Sequence, residues 1–385
     1  MPKTVFIGSY TECGYLQPGT VPGAGVSGVE VDDGGRLTQA LGSSKGVRNP
    51  SFLAVDGGVL FAVEELTDGA VVALRCEDLS VLSRTATGGS DPCDVLVCGS
   101  LLLASNYSSG TVAVIPAQGV RLGPLLQLAA HPGSGPVPGR QESSHAHQSR
   151  MTAWNTILVA DLGADRVDEY AVVEGDRAAG GNPLVLLASA QLPPGTGPRH
   201  MALTGQELLV VGELDGSLHH FHHSDGGWGW VSAVPVYDPA RADLSVTDGL
   251  QPSHIQLSDD AARLFVAVRG RNSIAVLDVS RIAARQPPVI LSEIGCGGDW
   301  PRHFLVVEDA RKDARAGEDA RADAPAATGH GAARHDGASA GRLYVANLRS
   351  NRVSVFALDH NGLPTHDAMQ QFNVNSPTCV IAGPE

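Results

Sequence analysis

The chain of 385 residues lacks the features that identify membrane proteins and secreted precursors. No run of apolar residues approaches the roughly 18 that a membrane-spanning helix needs. The segment Met1–Tyr10 carries one Lys and then reads as a β-strand, without the apolar stretch and cleavage site of a signal peptide. We therefore expect a cytoplasmic protein that has no membrane partner.

Cysteine is scarce, and its spacing argues against both a zinc cluster and a disulfide framework, because no C-x-x-C pair occurs. The six cysteines are Cys13, Cys76, Cys93, Cys98, Cys296 and Cys379. No G-x-S-x-G motif occurs either, so a serine-hydrolase triad is not supported. We expect free thiols, no metal and no cofactor.

The chain also has too few basic residues for nucleic acid to be its main partner. Its formal net charge is −14, whereas binding to a phosphate backbone needs a basic surface. The acidic balance still allows a small anion to be held by a few local arginines. The sequence leaves the oligomeric state open.

The sequence is rich in Gly and Pro and contains an internal repeat. Its 46 Gly and 24 Pro residues are typical of many short strands joined by tight turns. A unit with a Pro-containing turn and three short apolar strands recurs, mostly at intervals of roughly 40 to 55 residues, close to the range for four-stranded propeller blades. The copies begin at Asn49–Pro50, Asp91–Pro92, Ser144–His145, Gly197–Pro198, Gln251–Pro252, Trp300–Pro301 and Ser376–Pro377.

The seventh copy is cut short by the end of the chain, and the strand Thr4–Tyr10 supplies the missing part. We therefore predict an all-β, seven-bladed β-propeller in which N- and C-terminal strands close the last blade, as a single domain over residues 1–385. Another all-β array, such as a pair of sandwiches, fits the repeat less well.

Two segments interrupt the repeat. Residues 309–341 are rich in Ala, Arg, Asp and Gly and contain no aromatic residue, so we predict a disordered insertion between the first two strands of the sixth blade. The segment from His131 to Arg150 begins Gly/Pro-rich, and we expect a long loop over the central pocket.

Equivalent positions of a propeller repeat form rings around the central channel. The position after the recurring Pro gives a first ring: Ser51, Cys93, His145, Arg199, Ser253, Arg302 and Thr378. The next position gives a second: Phe52, Asp94, Ala146, His200, His254, His303 and Cys379. Residues that end the second strand give a third: Glu65, Asn106, Asp161, Glu213, Arg269 and Asn347. In the third copy, Ser144 stands at the Pro position.

The rings combine charged and titratable groups in a way that suits a small anionic substrate. Arg199, Arg269 and Arg302 carry permanent positive charges that suit a carboxylate or phosphate. The His145 and His147 imidazoles titrate near neutral pH and could exchange a proton. The alternative is that Arg–Glu pairs only tie blades together and that buried histidines belong to the core.

The run His219–His223 looks like a metal-binding tract, but side chains on a strand alternate between two faces. Asp225, two residues after the run, is the nearest carboxylate in sequence, and it lies in the following turn. We predict a solvated outer strand at this run and no metal site.

Several motifs resemble the seven-bladed propeller lactonase family. They are Gly197-Pro198-Arg199-His200, the stretch Ala160–Val167, the stretch Trp300–Phe304 and the pair His145-x-His147. The family includes the propeller-type 6-phosphogluconolactonase and the fungal 3-carboxymuconate lactonizing enzyme. The resemblance covers nearly the whole chain outside residues 309–341, although Gly212 and Val268 stand where the family usually has Asn.

The resemblance implies a site made of one His, two Arg and one Glu. By motif position the candidate catalytic residues are His147 (or His145), Arg199, Glu213 and Arg269. We expect the substrate to be bound further by His145, His200, Arg302 and Asn347.

The resulting hypothesis is hydrolysis of a small anionic sugar lactone, as in a 6-phosphogluconolactonase. His147 is the expected general base, with Glu213 orienting or charging a partner. Arg199 is the expected oxyanion group, and Arg269, helped by Arg302, the expected anion-binding group. A lactonizing cycloisomerase of the 3-carboxymuconate type and a non-catalytic propeller scaffold remain the alternatives.

Overall fold

The computed structural model describes residues 1–12, 14, 19–130, 132–173, 182–309 and 340–384. These residues form seven antiparallel sheets, which we number as blades in the order of the sequence repeat. Within the described ranges, no helix has the length and apolarity to cross a membrane. Residues Ile282–Ala284 form a short 3-10 helix.

The strands follow the repeat closely. Blade 7 combines β1 (Thr4–Ser9), β2 (Val26–Val31) and β3 (Leu37–Ser44) with the last strand, β29 (Pro377–Ala382). Blade 1 is formed by β4 (Leu53–Asp56), β5 (Val59–Glu64), β6 (Ala70–Arg75) and β7 (Val81–Ala86). Blade 2 is formed by β8 (Pro92–Cys98), β9 (Leu101–Asn106) and β10 (Thr111–Gln118), with both β11 (Arg121–Leu122) and β12 (Gln127–Ala130) paired to β10.

The other four blades each have four strands in sequence order. Blade 3 is formed by β13 (Ala146–Met151), β14 (Thr156–Asp161), β15 (Arg166–Val172) and β16 (Leu184–Gln191). Blade 4 is formed by β17 (Pro198–Thr204), β18 (Glu207–Gly212), β19 (Ser217–Ser224) and β20 (Gly227–Pro235). Blade 5 is formed by β21 (Gln251–Leu257), β22 (Arg263–Arg269), β23 (Ser273–Asp278) and β24 (Val289–Gly295). Blade 6 is formed by β25 (Pro301–Glu308), β26 (Gly341–Asn347), β27 (Arg352–Leu358) and β28 (Gln370–Asn373).

The ring is closed by pairing between the two ends of the chain. Strand β29 pairs antiparallel with β1, with Val5 opposite Ala382 and Ile7 opposite Val380. The innermost strands then contact one another in a closed circle, in the order β4, β8, β13, β17, β21, β25, β29 and back to β4. The predicted propeller with a shared last blade is confirmed.

Hydrophobic side chains lie between neighbouring blades, so the second strand of a blade is covered on both faces. Every residue of β5, β9 and β18 is buried, whereas the outer strand β7 is largely exposed. One cluster joins Leu60 and Val72 of blade 1 to Leu102 and Ala113 of blade 2. This two-sided packing explains the continuous apolar runs of the repeat.

A β-bulge near the start of the innermost strand is the local feature that builds the channel. In blade 2 the register shifts between Pro92 and Asp94, and in blade 4 between Pro198 and Met201. Blades 3, 5, 6 and 7 have a shift at the equivalent place. A bulge redirects side chains that would otherwise alternate between faces, so two consecutive residues can face the channel.

The third blade corrects our sequence register. Ala146 pairs with Asp161 in the way that Pro92 pairs with Asn106, so Ala146, not Ser144, holds the Pro position. His147 therefore belongs to the first ring in place of His145. Gln148 likewise replaces Ala146 in the second ring.

The strand of blade 3 begins late because Asp161 binds the preceding residues in a turn. The Ser144 hydroxyl donates to Asp161 Oδ2 at 2.6 Å, and the His145 N–H donates to Asp161 Oδ1 at 2.8 Å. These side-chain bonds compete with strand pairing. Without a Pro as a marker, the sequence could not reveal the two-residue shift.

The insertion lies between β25 and β26, as expected, but its ends are ordered. Glu308 pairs with Gly341, and the Asp309 N–H donates to the Ala340 carbonyl at 2.8 Å. The predicted bounds of 309–341 are therefore too wide at both ends. Residues 310–339 lie outside the described part of the chain.

Ring closure can be tested by placing a charge in the terminal strand. Val380 is fully buried, so Val380→Asp should lower the free energy of unfolding by about 3 kcal/mol or more, because the carboxylate has no partner there. Urea unfolding measures the change. Val81→Asp on the outer strand β7, where Val81 is 43% exposed, is the matched control, and equal losses in both variants would argue against closure by β29.

Candidate active site

The first ring, corrected in blade 3, divides into two kinds of side chain. Three small hydroxyl residues tie neighbouring blades together: Ser51, Ser253 and Thr378 donate to the carbonyl groups of Pro92, Pro301 and Pro50, respectively. Each bond joins one blade to the next. The larger members of the ring, His147, Arg199 and Arg302, are the ones that carry candidate chemistry.

Glu213 is the centre of the charged cluster and directly follows β18. Its Oε2 atom accepts a hydrogen bond from Arg269 Nη2 at 2.6 Å and lies 2.8 Å from Arg199 Nε. Its Oε1 atom accepts a hydrogen bond from Arg140 Nη2. One carboxylate thus holds three guanidinium groups, and three of the four predicted catalytic residues are brought into contact.

The charges within the cluster determine the protonation state of each of its members. Burial alone would raise the pKa of Glu213, but Arg269, Arg199 and Arg140 outweigh it and hold that pKa well below its usual value. Burial, followed by the charge of Arg269, lowers the pKa of Arg199 to about 9. All four groups are therefore ionised at neutral pH, which leaves the cluster with two excess positive charges.

Arg199 has hydrogen-bonding capacity that the protein does not use. Its Nη1 atom is buried and has no hydrogen-bond partner among the described residues. Its Nε atom contacts Glu213 closely but without hydrogen-bond geometry. An unsatisfied buried cationic donor costs stability, so its presence indicates a place for an anion or for water.

Arg140 is the member of the cluster that our sequence reasoning missed. It lies in the Gly/Pro-rich segment between β12 and β13, which was expected to cover the pocket. The sequence does contain a feature that points to this residue, because Arg140 is the only Lys or Arg between His131 and His145. The residue belongs to no repeat position, however, so a search by rings could not find it.

Two buried side chains, Gln141 and Asp165, link the loop that carries Arg140 to the turn before β17. Gln141 Nε2 donates to Asp165 Oδ1 at 2.7 Å. The same carboxylate accepts the N–H groups of Gly195 and Gly197 at 2.6 and 2.7 Å. Gly197 has a φ of +61° and precedes Arg199 by two residues, so Asp165 links the Arg140 loop to the turn that positions Arg199.

His147 has one ring nitrogen near a thiol and one available to a ligand. Its Nδ1 atom lies 3.8 Å from Cys93 Sγ, and Nε2 has no hydrogen-bond partner within the described ranges. Burial, followed by the charge of Arg199, lowers the pKa of His147 well below its usual value. The imidazole is therefore neutral at physiological pH.

A second ion pair lines the channel. Arg302 Nη2 donates to Glu65 Oε2 at 3.0 Å, and the Tyr10 hydroxyl donates to Glu65 Oε1 at 2.9 Å. The Arg302 guanidinium also lies over the Tyr10 ring, 5.2 Å from its centroid. Because Glu65 already balances its charge, Arg302 is less available to a substrate than the sequence suggested.

The other expected substrate-binding residues lie outside the Glu213 cluster. His145 stacks on Tyr107 at 4.4 Å between ring centroids. His200 Nδ1 lies 3.0 Å from His254 Nδ1 in the second ring. Asn347 donates to the Cys296 carbonyl and to Ser354 Oγ, which places its amide within blade 6.

The histidine run corrects another expectation. His219 and His220 on β19 are buried, so the run is not a solvated outer strand. Their Nε2 atoms lie 2.8 Å from Asp215 and 2.6 Å from Glu207, respectively. Acidic partners on either side explain how these imidazoles are accommodated, and no set of three metal-ligating side chains is present in the described part.

Comparison with known proteins assigns the family. Residues 4–319 match the family described as Lactonase, 7-bladed beta-propeller. The chain belongs to this family.

The curated relatives of this propeller lactonase include two 6-phosphogluconolactonases. The protein from Bacillus subtilis is 28% identical over 314 residues, which cover 78% of this chain and 84% of the relative. The protein from Formosa agariphila is 24% identical over 318 residues, covering 78% and 86%.

Solved structures share the fold of the propeller lactonase. The periplasmic gluconolactonase of Pseudomonas aeruginosa aligns with a TM-score of 0.79 and 24% identity over 98% of both chains. A protein from Lactobacillus plantarum aligns with a TM-score of 0.77 and 24% identity over 99% of both. At this level of identity the structures speak for the fold alone.

The charge balance of the cluster can be tested with Glu213→Gln. The variant leaves three guanidinium groups without their shared counter-charge, so the free energy of unfolding at pH 7 should fall by about 3 kcal/mol. Because the folded-state pKa of Glu213 is depressed, its stabilising effect is present above the unfolded pKa and is lost as the pH falls through the folded value. The difference between variant and wild type should therefore shrink below about pH 4.

Urea unfolding at both pH values measures this effect. Glu77→Gln, at an exposed residue, is the control and should change stability little at either pH. A Glu213→Gln variant as stable as wild type at neutral pH would show that the carboxylate does not balance the three arginines.

Proposed function

We propose that this propeller lactonase hydrolyses a small sugar lactone that carries a phosphate group, with 6-phosphogluconolactone as the first candidate. The observation that carries the proposal is the excess of two positive charges where Arg140, Arg199 and Arg269 surround Glu213. A phosphate dianion has the matching charge, and guanidinium groups bind it through several directed hydrogen bonds. The names of the two curated relatives support the same substrate.

Substrate access involves the Arg140 loop. His147, Arg199, Glu213 and Arg269 are each 6% exposed or less, whereas the Arg140 side chain is 33% exposed. We infer that the substrate phosphate takes over the contact between Arg140 and Glu213, and that the loop lifts to admit it. Arg140 then faces the phosphate from the solvent side and Arg269 from the channel side.

The hydrolytic step assigns a separate task to each group. A water molecule attacks the lactone carbonyl and gives its proton to His147 Nε2. Arg199, through its unpaired Nη1, stabilises the oxyanion of the tetrahedral intermediate. Collapse of the intermediate breaks the ring C–O bond, and the imidazolium returns the proton to the leaving alkoxide. The product is an open-chain hydroxy acid.

We assign Glu213 a positioning role within this site. A carboxylate that is held ionised by three arginines is a poor proton acceptor. Its contacts instead fix the direction of the Arg199 and Arg269 guanidinium groups. Glu213 therefore orients its partners and does not act as the base.

The compartment is a separate proposal. We infer that the protein acts in the cytoplasm, because Cys76, Cys93, Cys98, Cys296 and Cys379 are all free thiols and such thiols are usual in reducing compartments. Fractionation of the source cells tests this inference, and recovery of the protein outside the cytoplasm would contradict it.

The proposed reaction can be tested with Arg199→Met. A pH-indicator assay with 6-phosphogluconolactone should show catalysis by the wild type and a kcat lower by about 100-fold or more in the variant, because the oxyanion loses its donor. Arg121→Met, at an exposed residue of β11, should leave kcat unchanged. Near-wild-type turnover by Arg199→Met would remove Arg199 from the mechanism.

A comparison of substrates separates the possible reactions. Unphosphorylated gluconolactone should be hydrolysed with a higher KM, because it lacks the dianion. An absorbance assay with carboxymuconate should show no cyclisation. Cyclisation without lactone hydrolysis would favour the cycloisomerase, and no turnover of any substrate would favour a non-catalytic role.

The protonation of His147 predicts the pH profile. A general base acts in its neutral form, and the lowered pKa of His147 keeps that form present below the usual value of about 6.5. The kcat/KM for gluconolactone, which has no titrating phosphate, should therefore stay level from about pH 8 down to about pH 5.5. His147→Gln should lower kcat by about 100-fold, and an acid limb centred near 6.5 would contradict the assignment.

A further inference from the structure

The central channel has a cavity at the end opposite the Glu213 cluster. Its volume is about 390 Å³, and it is lined by residues from the later parts of the innermost strands. A buried layer separates it from the cluster: the Phe52 ring meets the His200 and His303 rings edge-on, and His254 stacks on His303 at 3.7 Å. The two ends of the channel are therefore separate compartments.

A fourth ring of equivalent residues lies at the level of this cavity, and all of its members except Ala202 line it. It lies two residues beyond the second ring on each innermost strand, so its side chains face the same way. Its members are Ala54, Leu96, Arg150, Ala202, Gln256, Leu305 and Ile381. The structure describes all seven of these residues, and Arg150 is the only one of them that carries a charge. The Gln256 amide is occupied by both backbone groups of Val306.

Arg150 presents a free edge to the cavity. Both of its protein contacts use Nη1, which donates to the Ser149 carbonyl at 3.1 Å and lies 3.7 Å from Asp94 Oδ1. Among the described residues, Nε and Nη2 have no hydrogen-bond partner. The side chain is 28% exposed. The parallel N–H groups of Nε and Nη2 match the two oxygens of a carboxylate.

The surrounding charges leave no excess that would favour a polyanion. Asp94 is buried beside Arg150, and burial raises the pKa of Asp94 to about 6, so at neutral pH it is mostly ionised and offsets the Arg150 charge. Burial also lowers the pKa values of His254 and His303, so both rings are neutral. Around this neutral floor, the walls formed by Leu96, Leu305 and Ile381 are apolar.

We propose that this cavity binds a small organic monocarboxylate with an apolar body. The carboxylate lies against the Nε–Nη2 edge of Arg150, and the body packs against the aliphatic side chains of the fourth ring. The site is independent of the proposed lactonase reaction, which takes place beyond the His200 and Phe52 layer.

Benzoate is a suitable probe, and titration of the full chain by calorimetry or ligand-observed NMR measures its binding. A ligand of this size should bind with a Kd of about 1 mM. Arg150→Met, which removes the charge and keeps the length, should weaken binding by about tenfold or more. Arg121→Met is the matched control on the surface and should bind as the wild type does.

Two further variants keep the test decisive. Ala54→Phe fills the cavity without touching the charge and should also weaken benzoate binding, so it decides the matter if Arg150→Met fails to fold. Arg199→Met should bind benzoate normally, since it lies at the other end of the channel. Inorganic phosphate should not displace the probe.

Three results would overturn the proposal. They are the absence of benzoate binding to the wild type, equal binding by folded Arg150→Met or folded Ala54→Phe, and loss of binding in Arg199→Met. The last result would place the carboxylate at the Glu213 cluster instead. Displacement of benzoate by phosphate would also overturn the proposal, because the cavity would then be a general anion site.

Discussion

The pairing of β29 with β1 is the constraint on which the rest of the structure depends. A blade needs neighbours on both faces to bury its apolar second strand, and only a closed ring supplies them to every blade. Closure also directs all seven innermost strands toward one axis. Residues as distant in sequence as Glu65 and Arg302 can meet only because the ring is closed.

The β-bulges allow the propeller to form a site in its channel. A regular strand would present every second residue to the channel, whereas the bulge allows two consecutive residues to face it. In blade 4 these are Arg199 and His200, whose side chains lie in different layers of the channel. Arg199 joins the charged cluster, and His200 joins the buried aromatic and imidazole layer below it.

Electrostatics distinguish the two ends of the channel. At one end, Glu213 shares its charge among three arginines and leaves an excess that suits a phosphate. At the other, Arg150 stands among aliphatic neighbours with Asp94 behind it. Each arginine is tolerated in its buried or partly buried position because a carboxylate lies close by, and its remaining donors are available because that carboxylate does not satisfy them all.

The repeat made the fold predictable, because Pro-marked starts and apolar strands recur in nearly every blade. The ring logic also singled out Arg199, Glu213 and Arg269, which contact one another in the structure, since these residues stand at repeat positions and in family motifs. It failed in blade 3, where Asp161 delays the strand and no Pro marks its start. It misplaced Asn347 as well, because Asn347 pairs with Pro301 and lies within the blade. Glu213 and Arg269 each stand one residue beyond the partner of the Pro and reach the axis.

Local periodicity and turn chemistry therefore suffice to predict the propeller, its closure and the residue types around the channel. Which charges meet depends on the folded chain. Arg140 reaches Glu213 from a loop that has no repeat position, and Glu65 takes Arg302. The physical reason is that ion pairing depends on distances between side chains across the ring, which no spacing along the chain encodes.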